Sequence, residues 1–263
     1  MTPLHINSST YCRAAIYGAI LALSTAPHQC TAEVPFVETP PGAPPSDAVV
    51  IFDGSDSRHF VKVDGSPCDW PIEGNELVVP GLQKTNRGVW TTYHFRDAQI
   101  HLEFQQPRQD RAHGNSGLYF HGICELQIYA VDENADRPEL TIGSLYGIKP
   151  PLVNAGRAAG EWQTYDILFK APRRNHTGKV TTPGSITALL NGVLVQDRTE
   201  FSEPTSRYAP MKFDVTDYTK KVNKQIREHE VGPLYLQDHD SQVRFRNVWI
   251  RPLDDKAGWF ESE

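Results

Sequence analysis

Two short runs of alternating residues carry the side chains best suited to chemistry. Between Cys124 and Ala130, apolar residues alternate with Glu125 and Gln127, and the run from Gly117 to His121 repeats the pattern with Tyr119 on its polar side. A carboxyl group can act as a general acid or base when its surroundings bring its pKa towards neutrality. Amides and phenols donate and accept hydrogen bonds. The combination suits a site that orients hydroxyl groups and moves a proton.

Pairing of the two runs as a hairpin would place these polar groups together. Their apolar residues share a face only if Phe120 lies opposite Cys124, which requires the three-residue connection from His121 to Ile123. We therefore predict that the side chains of Tyr119, Glu125 and Gln127 project from one side, with His121 near the turn.

The runs near the C-terminus repeat the alternation, so that Gln237 and His239 are expected to point outward. The apolar period then slips by one residue at Arg246-Asn247, which predicts a β-bulge. With that bulge, Arg244 and Arg246 fall on the polar side. One surface would thus collect carboxylate, amide, imidazole and guanidinium groups, as recognition of sugar hydroxyls requires. The simpler interpretation is an ordinary solvated sheet face.

The elements that position these residues are short strands. From Val49 onward, apolar or alternating runs recur between turn signals, which predicts a single-domain, mostly antiparallel β-sandwich. Asn191-Gly192 is the strongest hairpin signal, because a type I′ turn needs positive φ at both central positions. The polar stretch from Thr199 to Val231 is either a long surface excursion or includes a short helix from Tyr218 to Glu230.

Composition excludes some partners. The chain has 263 residues, a formal net charge of -6 and a pI near 5.9, so it lacks the cationic field that nucleic acid binding needs. Cys68 and Cys124 are either buried thiols or a disulfide pair. The sequence contains no CxxC pair or HExxH motif that would indicate a metal site.

The N-terminal region has the character of a secretory leader. An apolar run follows Arg13 and is roughly half the length of a membrane-spanning helix. We expect a signal peptide over 1–32, a proline-rich linker over 33–48 and the folded domain over 49–263. The protein would be exported to the periplasm or the extracellular space without a membrane span, and lipidation at Cys30 is not favoured by the residues before it.

An ordered set of motifs resembles the 3-keto-disaccharide hydrolase domain family over Val49 to Leu253. The motifs are Phe52-Asp53-Gly54, Gly114-Asn115-Ser116-Gly117-Leu118-Tyr119-Phe120, Glu125-Leu126-Gln127-Ile128, Gly143 with Tyr146, Gly160-Glu161-Trp162, Leu190-Asn191-Gly192, Leu236-Gln237-Asp238-His239 and Val243-Arg244-Phe245-Arg246-Asn247-Val248. The resemblance implies an all-β, concanavalin-like jelly-roll sandwich of two curved antiparallel sheets, with a ligand site on the concave face. It also implies an oxidised di- or oligosaccharide as substrate, cleaved beside a ketone at C3.

Such a reaction needs a base for the C2 proton, a partner for the enolate oxygen and an acid for the leaving group. The candidate base is Glu125 or His239, and the candidate enolate partner is His121 or Arg244. The candidate substrate-binding residues are Asn115, Tyr119, Gln127, Tyr146, Gln237 and Arg246. No cofactor is indicated with certainty, although Glu125 and His239 could also hold a divalent metal.

Two departures from the family pattern concern His121, where arginine is expected, and the long segment from Thr199 to Val231. Either could alter substrate choice or remove activity. A conventional jelly-roll glycosidase is less favoured, because Gln127 stands where a second strand carboxylate would be expected. A noncatalytic carbohydrate-binding module of the same fold is the main alternative.

Overall fold

Short strands with apolar residues on one side pair into two antiparallel sheets that face each other. The computed structural model describes residues 44–81, 88–108, 112–131, 136–202 and 215–260. The expected leader, and the linker as far as residue 43, lie outside this part. The described residues belong to one compact unit of the chain.

The larger sheet has eight strands and the smaller sheet has five. The strands of the larger sheet are β1 (Val49–Phe52), β3 (Ile72–Glu73), β4 (Glu76–Val78), β7 (Asp97–Gln105), β10 (Trp162–Lys170), β13 (Gly184–Leu190), β14 (Val193–Phe201) and β16 (Arg244–Pro252). They are ordered β14-β13-β10-β7-β16-β4-β3, and β1 also pairs with β16. The strands of the smaller sheet are β2 (Phe60–Lys62), β5 (Val89–Thr91), β8 (Ser116–Phe120), β9 (Cys124–Ile128) and β15 (Leu234–Leu236), in the order β2-β5-β15-β8-β9.

Two further ribbons flank the sheets. Strand β6 (Tyr93–Phe95) pairs with β17 (Ala257–Trp259), and β11 (Arg173–Arg174) pairs with β12 (Val180–Thr182). The inner faces of the two main sheets supply the core, as shown by the rings of Phe120 and Phe169, which stack 5.2 Å apart. The architecture confirms the predicted all-β jelly-roll sandwich.

The turns and the bulge that the sequence predicts are present in the structure. Phe120 pairs with Cys124 as predicted, and the connection between them has positive φ at His121 (53°) and Gly122 (64°). Asn191 and Gly192 also have positive φ, at 53° and 79°. The predicted bulge in β16 is present as well, with Asn247 at φ 48°.

A helix, α1 (Asp217–His229), confirms the helical alternative for part of the long polar segment. Thr216 caps its N-terminus through a reciprocal pair of hydrogen bonds with Thr219, and Val222 and Ile226 bury its apolar stripe. Residues 203–214 of the same segment lie outside the described part. A short 3-10 helix covers Pro138–Leu140.

The cysteines of the described part are not bonded to each other. Cys68 is half-buried and Cys124 is buried, and both are free thiols. Burial raises the pKa of the Cys124 thiol well above its usual range, so this group behaves as a small hydrophobe. Across the described ranges, no helix combines the length and the apolar character needed to cross a membrane.

Candidate functional site

The register of the smaller sheet brings four polar or aromatic side chains into one row. Tyr235 of β15 lies opposite Trp90 on one side and Tyr119 on the other, and Tyr119 lies opposite Glu125. Because Phe120 and its apolar partners on these strands face the core between the sheets, the row points to the other face of the smaller sheet, where Trp90, Tyr119 and Tyr235 are nevertheless fully buried. The ring centroids of Trp90 and Tyr235 are 4.5 Å apart, and those of Tyr119 and Tyr235 are 5.7 Å apart. The row thus combines an aromatic layer with one carboxyl group.

A second row of the same face carries two glutamines on either side of a glycine. Gly117 lies opposite Gln127, and the backbone N–H of Gln237 donates to the carbonyl of Gly117 at 3.0 Å. Beyond this row, the Nδ2 atom of Asn115 and the Nδ1 atom of His239 are 3.3 Å apart. Since Asn115 is half-buried and His239 is exposed, they form the rim of the site.

Glu125 is the central group of this face. Its side chain is 5% exposed and its Oε2 atom accepts a 2.6 Å hydrogen bond from the hydroxyl of Tyr119. Burial raises the pKa of Glu125 to about 8, although the Tyr119 hydrogen bond opposes the rise. Glu125 can therefore exchange a proton near neutral pH, as a general acid or base must.

Gly117 makes room for this carboxyl group. A Cβ atom added at Gly117 would lie 2.2 Å from the Oε1 atom of Glu125, much closer than van der Waals contact allows. Only glycine at this position lets the carboxyl group lie across the neighbouring strand. A sequence signal for this role exists, because Gly117 stands where the alternation predicts an outward side chain.

Tyr119 links Glu125 to the second row. Gln237 donates from Nε2 to the Tyr119 hydroxyl at 3.3 Å, and Tyr119 donates in turn to Glu125. Burial, followed by the negative charge of Glu125, raises the pKa of Tyr119 well above its usual range. The phenol therefore keeps its proton. The phenols of Tyr235 and Tyr146 are close enough to contribute to the same rise.

Several buried polar atoms at this face have no hydrogen-bond partner. Within the described residues these include Oε1 of Gln127 and Oε1 of Gln237, together with Nε1 of Trp90 and Oγ of Ser144. An unsatisfied buried acceptor costs about 1–3 kcal/mol, so such atoms are expected where a ligand completes the hydrogen bonding. The two amide oxygens, beside Glu125, can accept hydrogen bonds from hydroxyl groups.

Arg244 does not lie on this face, contrary to the prediction. It belongs to β16, which is part of the larger sheet, and its guanidinium group forms 2.7 Å ion pairs with Glu73 and Glu76. Alternation along a strand shows which side chains point away from the core, but not which sheet the strand belongs to. Arg244 therefore projects from the opposite side of the sandwich.

Arg246 is displaced for the same reason. Its Nε atom lies 2.6 Å from Oε2 of Glu103, and its guanidinium group lies 3.8 Å over the ring of Trp162. Burial raises the pKa of Glu103, but hydrogen bonds from His101, Asn247 and Arg246 outweigh it and lower the pKa to about 2. In this cluster on the outer face of the larger sheet, the charge of Arg246 is therefore already paired with that of Glu103.

His121 is also absent from the polar face. It is 1% exposed, its ring packs 4.7 Å from Phe169 and 5.2 Å from Phe95, and neither ring nitrogen has a hydrogen-bond partner. Burial, followed by repulsion from His94, lowers the pKa of His121 to about 3. The left-handed backbone of the turn breaks the strand alternation, so the ring enters the core as a neutral group.

The remaining predicted residues divide between the interior and the rim. Tyr119, Gln127 and Gln237 lie with Glu125, whereas Asn115 and His239 lie at the rim. Half-buried Tyr146 follows the edge of β9, where its backbone N–H donates to the Glu125 carbonyl at 2.9 Å. The sequence reasoning missed Trp90, Tyr235 and Ser144 as site residues. Of these, Tyr235 could have been found from its position two residues before Gln237.

A metal site is not assembled by protein side chains alone in the described part. No group of three or more His, Cys, Asp or Glu side chains there could hold a metal ion. A divalent ion between Glu125 and His239 stays a prediction, and it would need further ligands from the substrate.

Comparison with known proteins agrees with this fold. A solved structure from Parabacteroides distasonis, provisionally described as a glycosyl hydrolase, is 31% identical with a TM-score of 0.65 and covers 79% of this chain and 84% of its own. A second structure from that organism, with the same provisional description, is 21% identical with a TM-score of 0.55 and covers 79% and 94%, which shows the fold. No curated protein is matched.

The jelly-roll sandwich and these comparisons support a carbohydrate-related function, in the general class of hydrolases and lyases. The chain belongs to the family of 3-keto-alpha-glucoside-1,2-lyase-like domains, whose model matches residues 47–251. This match confirms the resemblance drawn from the motifs.

Proposed function

We propose that the chain cleaves glycosides whose sugar ring carries a ketone at C3, and that Glu125 removes the C2 proton. The observation that supports this most is the buried Glu125 carboxyl group, with a pKa of about 8 and a hydrogen bond from Tyr119, next to amide oxygens without partners. The family description, 3-keto-alpha-glucoside-1,2-lyase-like, names the same kind of substrate and an elimination across C1 and C2.

The ketone makes the proton at C2 acidic, so a carboxylate can remove it. The electron pair of the C2–H bond forms the enolate, whose negative charge rests on the C3 oxygen. The enolate then collapses, a C1=C2 double bond forms, and the C1–O bond breaks as the leaving oxygen takes up a proton. Water adds across the double bond, with its hydroxyl group at C1 and a proton at C2, to give the free 3-keto sugar.

Each step has a candidate group on the polar face. Ionised Glu125 is the base, and its raised pKa makes it a stronger base than an ordinary carboxylate. With His121 and Arg244 placed elsewhere, the NH₂ group of Gln237 becomes the proposed partner of the enolate oxygen, because the Tyr119 hydroxyl already donates its one proton to Glu125. Exposed His239 at the rim is the proposed acid for the leaving group. The Oε1 atoms of Gln127 and Gln237 would accept hydrogen bonds from sugar hydroxyls.

The test compares the 3-keto and unoxidised forms of one disaccharide as substrates of the full chain. We expect turnover of the keto form alone, and a loss of at least about 100-fold in the Glu125→Gln variant, as removal of a general base predicts. Glu228→Gln, on the exposed side of α1, is the matched control and should retain full activity. Cleavage of the unoxidised form by the wild type would contradict the mechanism. Binding of both forms without turnover would instead assign a noncatalytic carbohydrate-binding module.

A further inference from the structure

The polar side of the smaller sheet becomes more exposed along the direction of its strands. In the row of Glu125, and in the next row with Gln127 and Gln237, the residues are at most 5% exposed. One step further along the strands, His239 is exposed and Asn115 is half-buried. The site around Glu125 therefore opens to solvent at this end.

Tyr129 follows β9 directly and continues its direction. The backbone N–H of Gln127 donates away from β8, to the carbonyl of Ser144 at 3.0 Å, whereas the N–H of Ala130 donates to the carbonyl of His113, just before β8, at 2.8 Å. The N–H groups of an extended strand alternate between its two edges in this way. The chain is therefore extended through Tyr129, and its side chain leaves the sheet on the same side as that of Gln127.

The register of β8 and β9 places Tyr129 beside the residues at the open end. Gly117 pairs with Gln127, so two residues further along, the same register sets Asn115 opposite Tyr129. On the other side of Asn115, its Nδ2 atom lies 3.3 Å from Nδ1 of His239. We call Asn115, Tyr129 and His239 the mouth of the site.

The mouth combines an aromatic ring with polar groups. Tyr129 is half-buried, and its ring centroid lies 5.9 Å from that of His113. A tyrosine ring packed on one side offers contact area at little entropic cost. The Nδ2 atom of Asn115 can only donate, so Nδ1 of His239 accepts, which leaves Nε2 of His239 and Oδ1 of Asn115 for a ligand. A sugar ring, with C–H groups on its faces and hydroxyl groups at its edge, fits this combination.

We propose that the mouth holds the leaving-group sugar and that the ring of Tyr129 stacks on it, which makes Tyr129 a specificity-determining residue. The assignment rests on the proposed function, in which Glu125 acts on the oxidised ring. Because the residues around Glu125 are buried, the second sugar of a disaccharide must extend towards the exposed end of the site. The inference goes beyond the proposed function by predicting that the protein selects glycosides whose leaving group is itself a sugar.

The experiment compares two substrates with the same reacting ring: maltose with a ketone at C3 of its non-reducing ring, called 3-keto-maltose, and methyl 3-keto-α-glucoside. Only the first has a sugar as leaving group. In the full chain, Tyr129→Ala should lower kcat/KM for 3-keto-maltose about tenfold and leave that for methyl 3-keto-α-glucoside unchanged. Tyr129→Phe retains the ring and should keep wild-type rates with both substrates. Trp259→Ala is the matched control, because it removes a ring that is 50% exposed in the separate ribbon of β6 and β17.

Equal losses with both substrates, or no loss with either, would overturn the assignment of Tyr129. The proposed function fails separately, if the wild type turns over neither substrate. The mouth is then tested by calorimetric titration of the wild type and Tyr129→Ala with the same two compounds. We expect the wild type to bind 3-keto-maltose more tightly than methyl 3-keto-α-glucoside, and Tyr129→Ala to lose this difference. Absence of the difference in the wild type, or its persistence in Tyr129→Ala, would overturn the assignment in that case as well.

Discussion

Replacement of Glu125 by glutamine should stabilise the fold and remove activity at the same time. In the folded protein, burial raises the pKa of this carboxyl group from 4.5 to about 8. Between these values the folded state holds a proton that the unfolded state has released. The free energy of unfolding therefore falls as pH rises through this window, and the stabilisation is fully lost above the folded pKa.

The size of the effect follows from the two pKa values. At ~1.4 kcal/mol for each pH unit, ionisation of buried Glu125 costs roughly 5 kcal/mol by pH ~9 and roughly 3 kcal/mol at pH ~7. Glutamine has nearly the same shape, can still accept the Tyr119 hydrogen bond, and does not titrate. The free energy of unfolding of Glu125→Gln, minus that of the wild type, should therefore be larger at pH ~7 and at pH ~9 than at pH ~4 by these amounts.

Urea unfolding of the full chain at several pH values measures this difference directly. Glu228→Gln is the control, because this exposed carboxyl group on α1 should give a difference that hardly changes with pH. A Glu125→Gln difference that stays constant between pH ~4 and ~9, or that turns against the variant at high pH, would refute the assignment of a desolvated carboxyl group.

Four further predictions test Glu125 and the residues near it. The kcat/KM for a 3-keto-disaccharide should rise with pH towards about 8 as Glu125 ionises. Tyr119→Phe should move that rise to higher pH, because in the wild type the Tyr119 hydrogen bond lowers the Glu125 pKa and its removal lets that pKa rise further; an unmoved pH profile would contradict the link. Gly117→Ala should reduce kcat/KM about 100-fold or more by displacing the Glu125 carboxyl group, whereas the matched Gly258→Ala, in open space, should not; equal rates in both would argue against the close packing. His121→Phe should keep activity and lose the part of the acid sensitivity that His121 causes, because protonation of this residue in the unfolded state lowers the free energy of unfolding as pH falls from 6.5 to about 3. Urea unfolding at low pH checks this last point, and a large loss of turnover in His121→Phe would restore a catalytic role for His121.

Much of the small sheet could be read from the sequence because its pattern is local. The apolar alternation set the pairing of Phe120 with Cys124, and that pairing placed Tyr119 beside Glu125. The Asn191-Gly192 turn and the bulge at Asn247 are likewise specified by neighbouring residues.

The errors arose where long-range contacts decide the outcome. Arg244 and Arg246 do leave the core, but β16 pairs with β7 in the larger sheet, so both side chains project from the wrong side of the sandwich for a shared site. The alternation rule also ends where a strand ends, which is why His121 enters the core from its turn. The aromatic contact between Trp90 and Tyr235 joins residues 145 positions apart in the chain, and no local pattern could have revealed it.

Exchange of the C2 proton is the most direct measurement of the central proposal. The full chain is incubated with a 3-keto-disaccharide in D₂O, and the C2 signal is followed by NMR. We predict that the wild type introduces deuterium at C2 of the sugar, whereas Glu125→Gln does not. Cleavage by the wild type without deuterium at C2, or undiminished exchange in Glu125→Gln, would contradict proton removal by Glu125.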